Sequence, residues 1–224
     1  MKTKNIALVT ESGNGFGKTF ANIILNNKYD VILAASSESY RLLSVEGKYL
    51  QNYDLVKVDF TSEKSLIELK EYLELNYGKL DLLINNAEVA NGFGQKIEHI
   101  NIKEVKQTYE INVFTVIRLV QLFKPLLENS ENPNIINVTS SIGCIDNMRD
   151  DQFCYSDYSM IAYATSKAAL NMYTHLQRKE FKASKIDINN FDPILPGNCT
   201  HNSVTISDGK EDEFISLINK NSLV

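Results

Sequence analysis

Cysteine, histidine and proline are scarce in this 224-residue chain, at three, three and four residues, and tryptophan is absent. Cys144, Cys154 and Cys199 are too few for a disulfide framework, and their number is odd. They lack Cys-x-x-Cys spacing, and His99, His175 and His201 are scattered, so no structural zinc or other metal site is expected. Positive charge is not in excess. The net charge of −5 removes the electrostatic footing for a general nucleic-acid role. No apolar run reaches the length needed to span a bilayer, and Met1 to Lys4 leads into an apolar segment with no signal peptide before it. These absences lead to the expectation of a soluble, cytoplasmic protein of a reducing compartment, without membrane or nucleic-acid partners. No internal repeat, low-complexity tract or linker divides the chain, so residues 1–224 are read as one domain with a sizeable core.

What is present is an alternation. Short apolar runs at 5–10, 30–35, 55–60, 80–85, 134–139 and 186–191 predict six strands. Helical spacing falls at 16–27, 101–128 and 158–181, with a shorter candidate at 211–220. Thr61-Ser62-Glu63-Lys64 supplies capping residues and an early acid for a further helix. Phe20, Ile23 and Ile24 line one side of the first helix. Tyr109, Val113, Val116, Val120 and Phe123 mark the buried side of the long one, which Pro125 is expected to bend or end. Nearly continuous hydrophobic strands alternating with helices imply an α/β fold, a doubly wound parallel sheet covered on both faces. Residues 143–157 read as an insertion loop and residues 193–210, with two prolines and two glycines, as a second mobile loop.

Thr10-Glu11-Ser12-Gly13-Asn14-Gly15-Phe16-Gly17 lies between the first strand and the first helix. Glycines there let the backbone turn sharply and approach a pyrophosphate, while the helix N-terminus presents oriented N–H groups. A glycine cluster elsewhere would be a plain loop; its placement gives the nucleotide reading. Tyr163 and Lys167 are four residues apart and share one helix face. An ammonium beside a phenol is expected to lower the phenol pKa and ready it for acid/base work. Ser140, at the end of the fifth strand, could hydrogen-bond the same reacting oxygen. Each residue also has a plain structural reading: Ser140 as a strand-end cap, Asn112 as a satisfied helix amide, Tyr163 as a core tyrosine, Lys167 as a surface lysine. Tyr155, Tyr158 and Met160 either line a substrate mouth or pack the insertion loop.

These motifs, in this order from Asn5 to about Thr200, resemble those of the short-chain dehydrogenase/reductase family, a Rossmann-fold family. Thr10 through Gly17 matches its Thr-Gly-x-x-x-Gly-x-Gly turn, Asn85-Asn86-Ala87-Glu88 its Asn-Asn-Ala-Gly segment, Asn112 its helix asparagine, Ser140-Ser141-Ile142-Gly143 its Ser-x-x-Gly, and Tyr163 with Lys167 its Tyr-x-x-x-Lys. The wide separation of Ser140 and Tyr163 resembles the carbonyl-reductase-like branch. The resemblance implies reversible hydride transfer between NAD(P) and a carbonyl or secondary alcohol, with Asn112, Ser140, Tyr163 and Lys167 as catalytic residues. It implies cofactor contacts from Gly13, Gly15, Phe16, Gly17, Ser36, Asp59, Phe60, Asn86, Ala87, Tyr163, Lys167 and Pro193. It also implies a homodimer or homotetramer formed through the helices at 101–128 and 158–181.

The chain departs from that pattern in several places. Glu11 stands where the family has its first turn glycine, and Glu88 where Asn-Asn-Ala-Gly ends in glycine. A carboxylate ~4 Å from a phosphate costs about 1 kcal/mol in water-like surroundings and about 4 kcal/mol at an effective dielectric of 20. The family's last strand is expected to be missing or vestigial, and Pro196-Gly197 is displaced three residues beyond Pro193. These features support an alternative, a non-catalytic binding or regulatory module. Ala35-Ser36-Ser37 ends the second strand without an acidic residue, which, with Arg41 nearby, leans towards NADP(H) over NAD(H). The expected substrate is a small hydrophobic carbonyl compound or the corresponding alcohol.

Overall fold

The computed structural model describes residues 4–12, 15–27, 29–40, 53–158, 160–194, 206–207 and 209–219. Six strands pair in parallel: β1 (Asn5–Thr10), β2 (Tyr29–Ala35), β3 (Tyr53–Lys57), β4 (Leu82–Asn85), β5 (Asn134–Val138) and β6 (Asp187–Phe191). Their order is β3-β2-β1-β4-β5-β6, the doubly wound Rossmann order. In β1, Ala7, Leu8 and Val9 are all fully buried although successive side chains point to opposite faces. The sheet is therefore covered on both sides. The winding reverses between β1, which pairs with β2, and β4, which pairs with β5. A crevice opens at the carboxyl ends of the strands at such a reversal.

Among the described residues, the longer helical segments are α1 (Phe16–Asn26), α2 (Glu63–Asn76), α3 (Ile102–Tyr109), a π-helical segment (Glu110–Thr115), α4 (Val116–Glu128), α5 (Ile161–Glu180) and α6 (Lys210–Asn219). One core joins Leu8, Leu83 and Ile135 to Leu66, Leu69 and Leu73 of α2 and Leu119, Val120 and Phe123 of α4. The other joins Val9, Leu33 and Ile84 to Phe20 and Ile24 of α1 and Phe214 and Ile218 of α6. Phe214 packs on Phe20 and Phe191 at 4.7 and 5.1 Å between ring centroids. Ser62 caps α2 by accepting the Ser65 backbone N–H, with Glu63 in the first turn, as its sequence indicates.

Several boundaries shift. β3 spans Tyr53–Lys57 rather than 55–60 because Asp59 turns the chain, its carboxylate accepting the Thr61 backbone N–H and hydroxyl at 2.9 and 2.7 Å. The stretch at 101–128 is helical throughout but carries the π segment at its centre. Pro125 does not end α4: the helix continues to Glu128, anchored by buried Leu126 and Leu127. Residues 143–157 contain a short helical turn, Ile145–Met148. Cys144 is a free thiol but Cys154 is disulfide-bonded; an odd, small cysteine count argues against a framework without excluding a single bridge. Gly13, Arg41, Pro196, Gly197, Cys199, His201 and the residues 220–224 bearing on a last strand lie outside the described residues. No described helix is long and apolar enough to cross a membrane.

Candidate active site

The turn after β1 is fastened to β4 by Thr10 and Asn86. The Thr10 hydroxyl accepts the backbone N–H groups of Asn86 and Ala87, both at 2.9 Å, and the Asn86 side-chain amide donates to the carbonyls of Thr10 and Glu11 at 3.0 and 2.9 Å. Gly15 precedes α1 with φ 57° and ψ −136°, a combination that side chains other than hydrogen disfavour. At Gly17 a Cβ would lie 2.5 Å from the Glu11 carbonyl oxygen and 2.8 Å from the Asn86 amide nitrogen. Only glycine allows the helix to start this close to the turn. The Ser12 hydroxyl, fully buried in the same turn, has no hydrogen-bond partner among the described residues, an orphaned donor of the kind that a ligand satisfies.

Beside this turn is a cleft of ≈ 490 Å³ lined by residues at the ends of β1 to β4, Ser36, Asp59, Phe60 and Ala87 among them. Four carboxylates reach its wall, Glu11, Glu38, Asp59 and Glu88, and no lysine or arginine does among the described residues. Asp59 has its pKa lowered by the two Thr61 hydrogen bonds. Phe60 is held from behind, its carbonyl accepting the Thr115 hydroxyl at 2.7 Å from the π segment.

Ser140, Tyr163 and Lys167 converge at the end of β5. Gly143 makes this possible: a Cβ there would sit 2.7 Å from the Lys167 carbonyl carbon, so the turn Ser141–Gly143 presses directly on α5. Lys167 is 2% exposed and donates to the Val138 carbonyl at 2.9 Å. Its ammonium also forms an ion pair with the Glu88 carboxylate. The same Glu88 oxygen accepts the Tyr163 hydroxyl at 3.1 Å. Glu88 thus bridges the two residues of the Tyr-x-x-x-Lys pair.

This bridge reverses one expectation. Tyr163 was expected to have a lowered pKa, yet its pKa is raised far above the ordinary tyrosine value. Burial contributes most, then the Glu88 charge and hydrogen bond, then Asp192; a hydrogen bond with Ser140 works the other way. The Lys167 ammonium, 5.4 Å from the Tyr163 ring centroid, is engaged by Glu88 instead.

Asn112 lies in the π segment, 1% exposed. Its side chain exchanges hydrogen bonds with the Val89 backbone, at 2.9 and 3.0 Å, and donates to Ser166 at 3.0 Å. It holds the residue next to Glu88 and makes no hydrogen bond to Lys167. π insertions recur at functional sites.

Asp192 had no signal in the sequence motifs, and for Glu11 and the aromatic residues only the tertiary structure decides the contacts. Asp192, just past β6, accepts the backbone N–H groups of Ser141 and Ile194 at 2.5 and 3.0 Å, tying the Ser140 turn to the Pro193 loop. Burial raises its pKa against those two hydrogen bonds and Lys210. The Glu11 side chain reaches the end of β2, where its carboxylate accepts the Ser36 backbone N–H at 3.2 Å and the Ser39 hydroxyl. An aromatic chain runs Phe153–Tyr155–Tyr158–Phe93 with centroids 5.3–5.6 Å apart, so Tyr155 and Tyr158 do pack the insertion loop. Among the described residues no group of His, Cys, Asp and Glu could hold a metal ion.

Residues 5–205 match the family model of the short chain dehydrogenases. Short-chain dehydrogenase/reductase 1 of Saponaria officinalis is 24% identical over an alignment covering 80% of this chain and 78% of that protein. The (+)-neomenthol dehydrogenase of Arabidopsis thaliana is 27% identical, covering 83% of this chain and 81% of its own. Among solved structures, NADPH-bound carbonyl reductase from chicken fatty liver superposes with a TM-score of 0.75 at 23% identity, covering 96% of this chain and 89% of that one. With the six-stranded order, the turn after β1 and the convergence of Ser140, Tyr163 and Lys167, the match to the family model leads to one conclusion: the chain belongs to the short-chain dehydrogenase family of NAD(P)-dependent oxidoreductases.

Proposed function

We propose that this chain interconverts a carbonyl and a secondary alcohol of a small molecule, with a nicotinamide dinucleotide as hydride carrier. The observation that carries the reading is the meeting of Ser140, Tyr163 and Lys167 at the end of β5, beside a cleft at the sheet's switch point. Fit to a dinucleotide is supported by the orphaned Ser12 hydroxyl, the space kept clear at Gly17 and the ≈ 490 Å³ cleft. The nicotinamide supplies and accepts the hydride when bound.

The remaining work falls to side chains. The turn at Gly13, Gly15, Phe16 and Gly17 would hold the pyrophosphate. Ser36, Asp59, Phe60 and Ala87 would surround the adenosine, with Asn86 holding the turn in shape. Pro193 would face the nicotinamide, and Lys167 would bind its ribose hydroxyls. Ser140 would orient the substrate oxygen and Tyr163 would give or take its proton, a contribution of typically 10²–10⁴-fold. A raised Tyr163 pKa keeps the phenol protonated and so favours donation, the direction of carbonyl reduction. For Lys167 to reach a ribose, Glu88 must swing away; its side chain is 34% exposed, which leaves it room. Asn112 positions the Val89 backbone and hence Glu88.

The aromatic chain from Phe153 to Phe93 supports a hydrophobic substrate, since Phe93 is 64% exposed. Ile102 and Phe114 on the 101–128 helices, and Ile161, Met172 and Leu176 on α5, are exposed apolar side chains that support a homodimer or homotetramer. A single sizing-column peak at monomer mass at micromolar concentration would count against that assembly.

Titration with NADH and NADPH, followed by nucleotide fluorescence and melting temperature, tests the function. Saturable micromolar binding, then turnover on hydrophobic ketones that Tyr163→Phe removes, is expected. No binding of either nucleotide at millimolar concentration would leave a non-catalytic binding module.

A further inference from the structure

The end of β2 is where an adenosine ribose is read, because a carboxylate there accepts the 2′-hydroxyl of NAD(H) and repels the 2′-phosphate of NADP(H). Ala35-Ser36-Ser37 offers none from β2 itself. The fold supplies one from elsewhere. Glu11 has φ 50°, the one non-glycine residue with positive φ among those described. Its backbone N–H donates to the Ala34 carbonyl at 2.7 Å, so the turn stays against β2. The carboxylate then lies over the strand end, fixed by the Ser36 N–H and the Ser39 hydroxyl.

We infer that Glu11 is the specificity-determining residue for the nucleotide and selects NAD(H) over NADP(H). The inference deepens the proposed function and rests on it. The position is in the phosphate turn, yet the side chain acts at the ribose end. Glu38 and Asp59 share the cleft wall, and no described lysine or arginine lines it to neutralise a 2′-phosphate. A dianionic phosphate placed there faces the like charge of these carboxylates, whereas a ribose hydroxyl meets an acceptor already oriented by two donors. The inference runs opposite to the lean towards NADP(H) drawn from the missing β2 acid. At separations of a few ångströms and an intermediate dielectric, such repulsion corresponds to at least about a 100-fold difference in affinity.

The test is the dissociation constant of NADH and of NADPH, by nucleotide fluorescence at fixed ionic strength, for the wild type, Glu11→Gln and Glu11→Gly. Glutamine keeps the size and removes the charge; glycine removes the side chain and relaxes the positive φ, and so serves if glutamine perturbs the turn. The wild type is expected to bind NADH at least about 100-fold more tightly than NADPH. Both variants should narrow that ratio at least tenfold, mainly by tighter NADPH binding, and added salt should improve NADPH binding to the wild type more than to either variant. A wild type that prefers NADPH, or a ratio unchanged in both variants, overturns the inference while leaving the oxidoreductase reading intact. A wild type that binds neither nucleotide overturns both.

Discussion

Lys167 and Glu88 form an ion pair across the candidate active site, and the Glu88 oxygen that contacts the ammonium also accepts the Tyr163 hydroxyl. One carboxylate therefore engages both members of the Tyr-x-x-x-Lys pair. Burial holds the Tyr163 pKa up most, and the Glu88 charge adds to it while occupying the ammonium that would otherwise lower it.

Replacing Glu88 by Gln removes the charge and keeps the shape. The Tyr163 pKa should then fall towards the ordinary value, and the pH–rate profile for alcohol oxidation, which needs the phenolate, should move to lower pH. An ultraviolet tyrosinate titration, with Tyr163→Phe as blank, reads the shift directly; an unchanged titration would refute the role given to Glu88. Lys167 is left buried with only the Val138 carbonyl, so stability should drop by about 1–3 kcal/mol, less than for a fully buried pair because Glu88 is partly exposed.

Tyr163→Phe should reduce kcat by roughly 10²–10⁴-fold. Nucleotide affinity and melting temperature should change little, because the lost hydroxyl contacts Glu88 and Ser140 and carries no core packing. Stopped-flow single turnover separates the two effects; wild-type single-turnover rates in the variant would remove Tyr163 from the chemistry.

Asn112→Ala removes three hydrogen bonds at a site 1% exposed and strands the Val89 backbone groups. A loss of about 2–3 kcal/mol in denaturant unfolding is expected. Hydrogen exchange at the Val89 amide should accelerate more than at the β4 amides. Uniform acceleration across the sheet would mean that Asn112 supports global stability and does not position the Glu88 loop.

Tyr72 and Tyr77 both donate to one oxygen of Asp54, Tyr72 at 2.5 Å. The Tyr72 pKa is pushed up to about 12 by burial and then by Asp54, and that of Tyr77 is raised by the same causes. The folded state thus holds these protons more tightly than the unfolded chain, whose tyrosines titrate near 10. Their stabilisation is complete below about pH 10 and is lost as pH rises through about 12. Asp54→Asn should flatten the fall in unfolding free energy over that window; a fall of wild-type steepness in the variant would exclude this cluster as its source.

The alternation of strands and helices was legible because the central strands β1, β2 and β4 are nearly continuous apolar runs buried on both faces, as in Ala7-Leu8-Val9. The capping serine at Ser62 and the glycines at Gly15 and Gly17 were legible because each answers a local backbone demand. Pro125 does not end the helix, because burial of Leu126 and Leu127, which local propensity does not weigh, holds the last turn of α4. The bridge at Cys154 was not legible, because cysteine counting says nothing about a single pair. The lowered Tyr163 pKa was expected from its spacing to Lys167 alone.

The residues of the site and their order along the chain were determined by the sequence itself, since turns, caps and i, i+4 neighbours are short-range matters of sterics and hydrogen bonding. Which charges face each other was decided only by the tertiary structure. Glu88 lies 79 positions before Lys167 in the numbering, and Glu11 25 before Ser36. Their contacts depend on β4 and β5, and β1 and β2, lying side by side in the sheet. Electrostatics acts through space and not along the chain, so the same two glutamates that read as departures from a motif became, once folded, a bridge between Tyr163 and Lys167 and a carboxylate at the end of β2.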